Sequence, residues 1–308
     1  MRMGTYILRR LLQMIPVVLG TTFLIYWMVF SLGDPTVGRC GERACPDSYV
    51  AKMVEEYHLD RPLPEQYVRY LGNVVQGDLG TSFNGDSVSE QLSVRWPTTI
   101  RLSVIAIVFE TLIGIGAGLL AGLRRRSFWD SLVFVTTLLI ISIPSFVLGS
   151  VAQLVFGVQL GWFPVTSTQG TWSQLMLPGF VLGSMSMAYI ARLTRNSLTD
   201  NLSADYVRTA RAKGLTRGRV VGIHTFRNSL IPVVTFIGAD FGALMGGAVV
   251  TERIYNIQGI GGYIFHSIQT KDGTAVVGTI TFLVIVFLIM NLIVDLLYGA
   301  MDPRIAHD

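Results

Sequence analysis

The 308 residues are 51% apolar and only 14% charged, where a soluble domain carries about 25% charged residues. So few charges cannot clothe one large or two ordinary soluble globules, and 32 glycines with 11 prolines fit membrane helices, where both residues are commoner. The formal charge of +4 is clustered along the chain rather than interleaved with aromatic residues, which sets aside a nucleic-acid groove and leaves a polytopic membrane protein.

A helix crosses the hydrocarbon with about 20 mostly apolar residues, and six stretches qualify. Residues 1–10 form a short basic start, and residues 11–32 follow directly after Arg9 and Arg10. Their apolar run is too long for a secretory h-region and no small-residue cleavage site follows, so the stretch reads as a retained span. Residues 33–98 form a hydrophilic segment that reads as folded. It contains a predicted helix over 48–57 capped by Asp47 or Ser48, a break at Arg61-Pro62-Leu63-Pro64, and helical spacing of apolar residues over 64–71. That last piece fits a helix lying on the membrane or packed on a neighbour. Residues 100–123 are the second span and 132–157 the third, kinked at Pro144. Residues 175–191 form a short fourth span rich in Gly, Ser and Met. Residues 230–251 are the fifth span, 276–298 the sixth, and 299–308 a tail. The five spans after the hydrophilic segment make a core over 99–298.

Lys and Arg mark the cytoplasmic flank of membrane spans. With six spans, one side holds Arg2, Arg9, Arg10, Arg124, Arg125, Arg126, the basic loop 192–228, and Arg304. The other holds residues 33–98, where ten acids outnumber six bases. Both termini are therefore expected in the cytoplasm. One span more or fewer would scatter the basic segments over both sides.

Cys40 and Cys45 lie together in the external segment, where a short disulfide loop fits the oxidising side. The alternative is a pair of metal ligands. Only His58 lies nearby, and structural zinc sites need four ligands at tighter spacing, so no metal is expected. Enzyme motifs are missing as well. His58, His224, His266 and His307 are scattered, and there is no His-Glu-x-x-His, Gly-x-Ser-x-Gly or Gly-x4-Gly-Lys-Ser/Thr pattern. Gly259-Ile260-Gly261-Gly262 reads as a turn.

Three acidic residues fall inside the spans: Glu110, Asp240 and Asp295. Each is costly in lipid and should face protein or water. Asp240 lies near mid-depth, where it either lines a polar path or hydrogen-bonds to Thr or Ser on a packed neighbour, with no second charge expected beside it. Asp295 is expected to pair with a basic residue such as Arg304. Gly238, Gly242 and Gly246 recur every four residues, which permits close helix approach or a mobile path-lining helix. Asp240, Gly238, Gly242 and Ser142 are the candidates for a translocation path.

The basic loop carries the most specific pattern. Asp205-Tyr206-Val207-Arg208-Thr209-Ala210-Arg211-Ala212-Lys213-Gly214-Leu215 reads as a small-residue helix turning at Gly214 into a second short helix, with re-entry at Pro232. Tyr206, Val207, Ala210 and Leu215 give an apolar face ringed by arginines. A solvated loop that only fixes topology needs none of this, whereas a docking knob for a cytoplasmic partner does.

This loop resembles the cytoplasmic coupling loop, the EAA loop, of ABC-importer permeases in the dipeptide/oligopeptide/nickel subfamily. Arg9-Arg10-Leu11-Leu12 with Pro16, Gly77-Asp78-Leu79-Gly80-Thr81-Ser82, Pro97-Thr98-Thr99 and Pro144-Ser145-Phe146 extend the resemblance. So do His224-x2-Arg227-Asn228, Val250-Thr251-Glu252, Gly259-Ile260-Gly261 and Tyr298-x3-Asp302-Pro303-Arg304. Together and in order they cover nearly the whole chain. Two positions depart from the pattern: Arg208 stands at the eponymous glutamate, and Asn256-Ile257-Gln258 replaces an aromatic-rich stretch.

The resemblance implies an all-α polytopic membrane protein with six transmembrane helices in the type I ABC importer permease fold, as the first (B-type) membrane subunit, in a bacterial inner membrane. It implies no cofactor on this chain, with ATP and Mg on two cytoplasmic P-loop ATPases. A homologous second permease and an external substrate-binding protein complete the assembly. Residues 205–215 would transmit ATPase motion, with Arg208, Arg211 and Lys213 meeting acidic ATPase grooves and Ala210 and Gly214 keeping the loop's helices close. The cargo would be dipeptides or oligopeptides, with nickel, haem or glutathione as alternatives on the same machinery. An ion-coupled secondary transporter is the alternative of a different class. It would show inverted repeats and helices broken at mid-membrane.

Overall fold

A computed structural model describes residues 3–31, 46–47, 50–51, 54 and 60–301. Cys40, Cys45, His58 and Arg304 lie outside the described residues, as does most of the 48–57 helix, of which Val50, Ala51 and Val54 are helical, as is Asp47, one of its two expected caps. The helices are α1 (Met3–Ser31), α2 (Leu63–Val75), α3 (Val88–Leu123), α4 (Phe128–Ser142), α5 (Ser145–Ala152, prolonged by a widened turn, Gln153–Gln159) and α6 (Met176–Ser203). They continue with α7 (Asp205–Ala212), α8 (Arg217–Arg219, widened over Val220–Phe226 and closed by Arg227–Ser229), α9 (Ile231–Ile254), α10 (Ile260–Gln269) and α11 (Gly273–Met301). Among the described residues no strand forms, and five helices are long and apolar enough to cross a membrane. The pair α4 and α5 makes a sixth crossing when counted as one span. The chain is an all-α polytopic membrane protein.

Three elements differ from expectation. The third span is broken rather than kinked: α4 and α5 meet at 105°. Pro144 lacks an N–H and its ring crowds the carbonyl four residues back, and the residue before a proline is pushed out of helical conformation. Ile143 is extended accordingly, at φ −94° and ψ 125°. The second span starts twelve residues early, at Val88 rather than 100. Ser89, Glu90, Gln91 and Arg95 dilute its hydropathy, but Val88, Leu92 and Trp96 recur at helical spacing on one inward face. Ser87 and Glu90 also stand at capping-box spacing, with the Glu90 N–H donating to Ser87 Oγ at 3.4 Å. The fourth span runs on to Ser203, so the first third of the basic loop is helix.

Two compact units are present, residues 1–99 with 258–308, and residues 100–257. In the first, the amphipathic helix α2 lies on a neighbour. Tyr67 Oη donates to Leu19 O at 2.9 Å, and Tyr70 Oη donates to Thr281 Oγ1 at 2.8 Å. Tyr26, Tyr67 and Tyr70 stack between them, and burial pushes the Tyr70 hydroxyl above its ordinary range. Asp295 pairs with Arg10 of α1 at 3.2 Å, a basic partner of the kind expected.

Two of the family-like motifs gain physical reasons in this unit. Gly80 and Gly278 admit close approach: a Cβ on Gly80 would sit 2.6 Å from Thr274 Cγ2, and one on Gly278 would sit 2.5 Å from Leu79 O. The buried Asp272 carboxylate then accepts from Ser82 Oγ at 2.6 Å, Phe83 N at 2.9 Å and Ala275 N at 3.0 Å, tying the Gly-Asp-Leu-Gly-Thr-Ser segment to the start of α11. Gly259 opens α10 rather than making a turn, and Thr99 Oγ1 accepts the Ile260 N–H at 2.9 Å. Removing Asp272 orphans two backbone donors and a hydroxyl, so Asp272→Ala is expected to cost about 3 kcal/mol. A thermal midpoint in detergent equal to that of the wild type would contradict this.

The second unit is built on a glycine seam. Cβ atoms on Gly114, Gly118 and Gly122 of α3 would lie 2.7, 2.5 and 2.8 Å from atoms of Ile190, Ala191 and Leu198 of α6. From the other side, Cβ atoms on Gly179 and Gly183 would meet Ile105 at 2.4 Å and the Ala106 carbonyl at 2.7 Å. Of the glycines expected to do this on α9, Gly246 does not: nothing lies within 4 Å of its Cβ position and it is exposed. Leu102, Ile105, Leu175, Val181, Tyr255 and Ile257 form the adjoining core, where Tyr255 Oη donates to Gly149 O at 3.0 Å. Asn256 takes the positive φ of 51° that ends α9, with Ile257 N bonding back to Glu252 O.

Candidate functional site

The basic segment folds into a small knob. After Ser203 a single residue, Ala204, is extended (ψ 152°), and α7 begins at Asp205. Helix α7 ends in a Schellman turn. Gly214 stands in the left-handed region at φ 78°, its N–H bonds to Arg211 O at 2.9 Å, and Leu215 N bonds to Ala210 O at 3.3 Å. The residue after such a turn commonly packs back on the helix it closes. Leu215 does so, against a core of Val207, Ala210 and Val220. The returning segment α8 packs on α6, with the Ser229 hydroxyl shared between Thr225 O at 2.8 Å and, more weakly, Ser197 O of α6 at 3.4 Å.

This geometry sorts the predicted residues by role. Val207 and Ala210 are buried and hold the knob together, while Leu215 closes it. Asp205, Tyr206, Arg208, Thr209, Arg211, Ala212, Lys213 and Gly214 are exposed. Arg208 pairs with Asp205 on the same helix, and Tyr206 Oη donates to Asn201 Oδ1 at 2.5 Å. The expectation that Gly214 brings helices close is corrected. A Cβ there would meet nothing within 4 Å, and the glycine is needed for its backbone angle. Most of the apolar face is spent inside the knob, and the surface offered outward is mainly basic and polar, with Tyr206 and Ile223 also exposed.

A polar layer crosses the second unit within the membrane. Glu110 of α3 is fully buried and faces Asp240 of α9, and the Ser186 hydroxyl of α6 is Asp240's other partner. Glu110 Oε1 and Oε2 and Asp240 Oδ2 are buried with no hydrogen-bond partner within bonding geometry. Ser186 lies about ten residues into α6 and Asp240 about ten into α9, some 15 Å at the helical rise and near the middle of a bilayer core. The sequence alone shows no second charge beside Asp240 and assigns Glu110 no role. Yet Glu110 precedes Gly114, Gly118 and Gly122 on the same four-residue row, so the glycine face that meets α6 also carries the carboxylate inward. Gly242 is buried and Gly238 half-buried on either side of Asp240. Ser142 ends α4 exposed, its hydroxyl donating to Leu138 O at 2.7 Å, and no hydrogen bond joins it to Asp240. Among the described residues no cluster of His, Cys, Asp or Glu fits a metal ion.

The described residues thus make five or six apolar crossings, with a compact basic knob between two of them and a buried carboxylate pair inside the second unit. Residues 114–307 match the family described as binding-protein-dependent transport system inner membrane component, and residues 3–103 match its N-terminal companion. The chain belongs to this family of ABC transporter permeases. It is 36% identical to the dipeptide transport system permease protein DppB of Alkalihalophilus pseudofirmus, over 99% of this chain and 100% of that protein. The di/tripeptide permease DppB of Pseudomonas aeruginosa is also 36% identical, with 99% of each chain covered. The glutathione permease GsiC of Pectobacterium atrosepticum is again 36% identical, over 99% of this chain and 100% of that one.

Proposed function

We propose that the chain is the B-type permease subunit of an ATP-driven importer of short peptides in a bacterial inner membrane. The relatives carry dipeptides, di- and tripeptides, and glutathione, itself a tripeptide, so cargo of two or three residues is the common chemistry. A homologous second permease completes the path, an external binding protein delivers the peptide, and two cytoplasmic ATPases hold ATP and Mg. Both termini and the knob face the cytoplasm, because the basic segments then share one side. The single observation that carries the coupling role is the knob itself, internally packed through Val207, Ala210 and Val220, with Arg211 and Lys213 turned outward. ATP-driven approach of the ATPases would shift such a rigid body and bias a two-state helix bundle. Asp240, with Gly238, Gly242 and Ser142, remains the proposed path lining, and Glu110 and Ser186 join it.

Affinity capture of the tagged chain from mild detergent, with mass spectrometry of its companions, tests the assembly. Two P-loop ATPases, a related permease and an external binding protein are the expected companions, and the ligand of that binding protein then identifies the peptide. Recovery of the chain alone, as a stable monomer or homodimer, would overturn the reading in favour of an ion-coupled carrier.

A further inference from the structure

Helix α4 begins at a carboxylate held by two residues, on a turn that a third one caps. Arg126, in the left-handed region at φ 62°, donates its backbone N–H to Asp130 Oδ2 at 2.8 Å, and Ser127 caps the helix. Arg195 of α6 then grips both oxygens, Nε to Oδ1 at 2.6 Å and Nη2 to Oδ2 at 2.9 Å. A two-pronged guanidinium–carboxylate pair fixes direction as well as distance. The Asp130 side chain is only 8% exposed, which limits screening by salt.

The stretch of α6 that carries Arg195 is held on other sides too. Gly118 and Gly122 of α3 press on Ala191, Thr194 and Leu198, and the segment returning from the knob bonds to Ser197. Only Ala204 separates the end of α6 from α7. The knob, the end of α6 and the start of α4 are thus joined by direct contacts, and α4 stays helical until Ile143 and Pro144 interrupt it.

We propose that Asp130 and Arg195 are positioning residues that make α4 move as one body with the knob, carrying the knob's displacement to the break at Pro144. The proposal rests on the coupling role given to the knob above. Loss of the pair should weaken the transfer of motion while leaving the outward basic surface of the knob intact.

The test uses the complete transporter, with both permeases, both ATPases and the binding protein, in proteoliposomes. Peptide uptake per ATP hydrolysed is compared for the wild type, Asp130→Asn and Arg195→Lys. It is also compared for a double Asp130→Cys, Arg195→Cys variant in a Cys40→Ser, Cys45→Ser background. Both single variants should assemble and hydrolyse ATP near the wild-type rate, with uptake per ATP down about tenfold. A cleavable bifunctional thiol reagent should restore the ratio in the double-cysteine variant, and reductant should abolish it again. A merely structural ion pair would not give that reversible rescue. Asp130→Asn coupled as well as the wild type, Asp130→Asn unable to assemble, or a cross-linked pair still uncoupled would each overturn the proposal. A wild-type chain that recruits no ATPase instead overturns the coupling reading itself, before any variant is compared.

Discussion

Gly118→Leu is expected to leave no folded permease. A Cβ at this position would lie 2.5 Å from the Ala191 carbonyl oxygen and 2.5 Å from Thr194 Cβ. The first is backbone, which cannot swing aside as a side-chain tip does, so α3 and α6 would have to part. Gly114 and Gly122 above and below, with Gly183 against the Ala106 carbonyl, show that the approach is continuous along the seam. Even Gly118→Ala should cost about 1–3 kcal/mol as overpacking. Leucine adds three more carbons to a gap with room for none and should exceed a stability margin of about 5–15 kcal/mol. Gly116 supplies the control on the same helix: nothing lies within 4 Å of its Cβ position, and Gly116→Ala should be neutral or stabilising by up to about 1 kcal/mol. Thermal midpoints and size-exclusion profiles in detergent read both variants. A monodisperse Gly118→Leu protein with an unchanged midpoint would refute the seam.

What could be read from the sequence follows the range of the forces involved. Helices α9 and α11 lie close to their predicted limits because each is a long apolar run, and hydrocarbon leaves such a run little alternative to helix; α1 ends near its predicted limit but starts about eight residues early, at Met3 rather than 11. Local chemistry also marked the knob, since Gly214 sits where a helix closes in a left-handed turn and Pro232 where the next one starts. Hydropathy misled where polarity and helicity diverge. The first turns of α3 are half polar, and their inward row of Val88, Leu92 and Trp96 needed periodicity rather than mean hydropathy to be seen. The break at Pro144 was half legible, since proline signals a disruption but its 105° outcome depends on what α4 and α5 pack against. Least legible were pairings across distant segments: Arg195 with Asp130, Arg10 with Asp295, and Glu110 with Asp240. Each joins helices whose adjacency no local pattern states. Only Glu110 carried a clue, its place on the glycine row.

Ala210→Trp is expected to stop peptide uptake while sparing the membrane bundle, on the proposed coupling reading. Ala210 is 8% exposed and packs with Val207 and Val220 beneath Leu215, and its carbonyl accepts the bond that closes the Schellman turn. An indole has no room there. It would pry α7 from the returning segment and turn a rigid knob into a pliant one. The core around Leu102, Val181 and Tyr255 shares no residue with the knob's cluster, so the bundle should stay folded, unlike that of Gly118→Leu. A pliant knob absorbs displacement instead of passing it on, so uptake in proteoliposomes should fall about tenfold or more while the ATPases still bind and hydrolyse ATP. Gly214→Pro should act alike, because proline cannot adopt φ 78° and the turn would open. Arg211→Glu provides the contrast. That side chain is exposed and outside the cluster, so its reversal should weaken ATPase binding in a salt-dependent way without softening the knob. Full uptake by Ala210→Trp with normal ATPase association would show that the knob's internal packing plays no part in coupling.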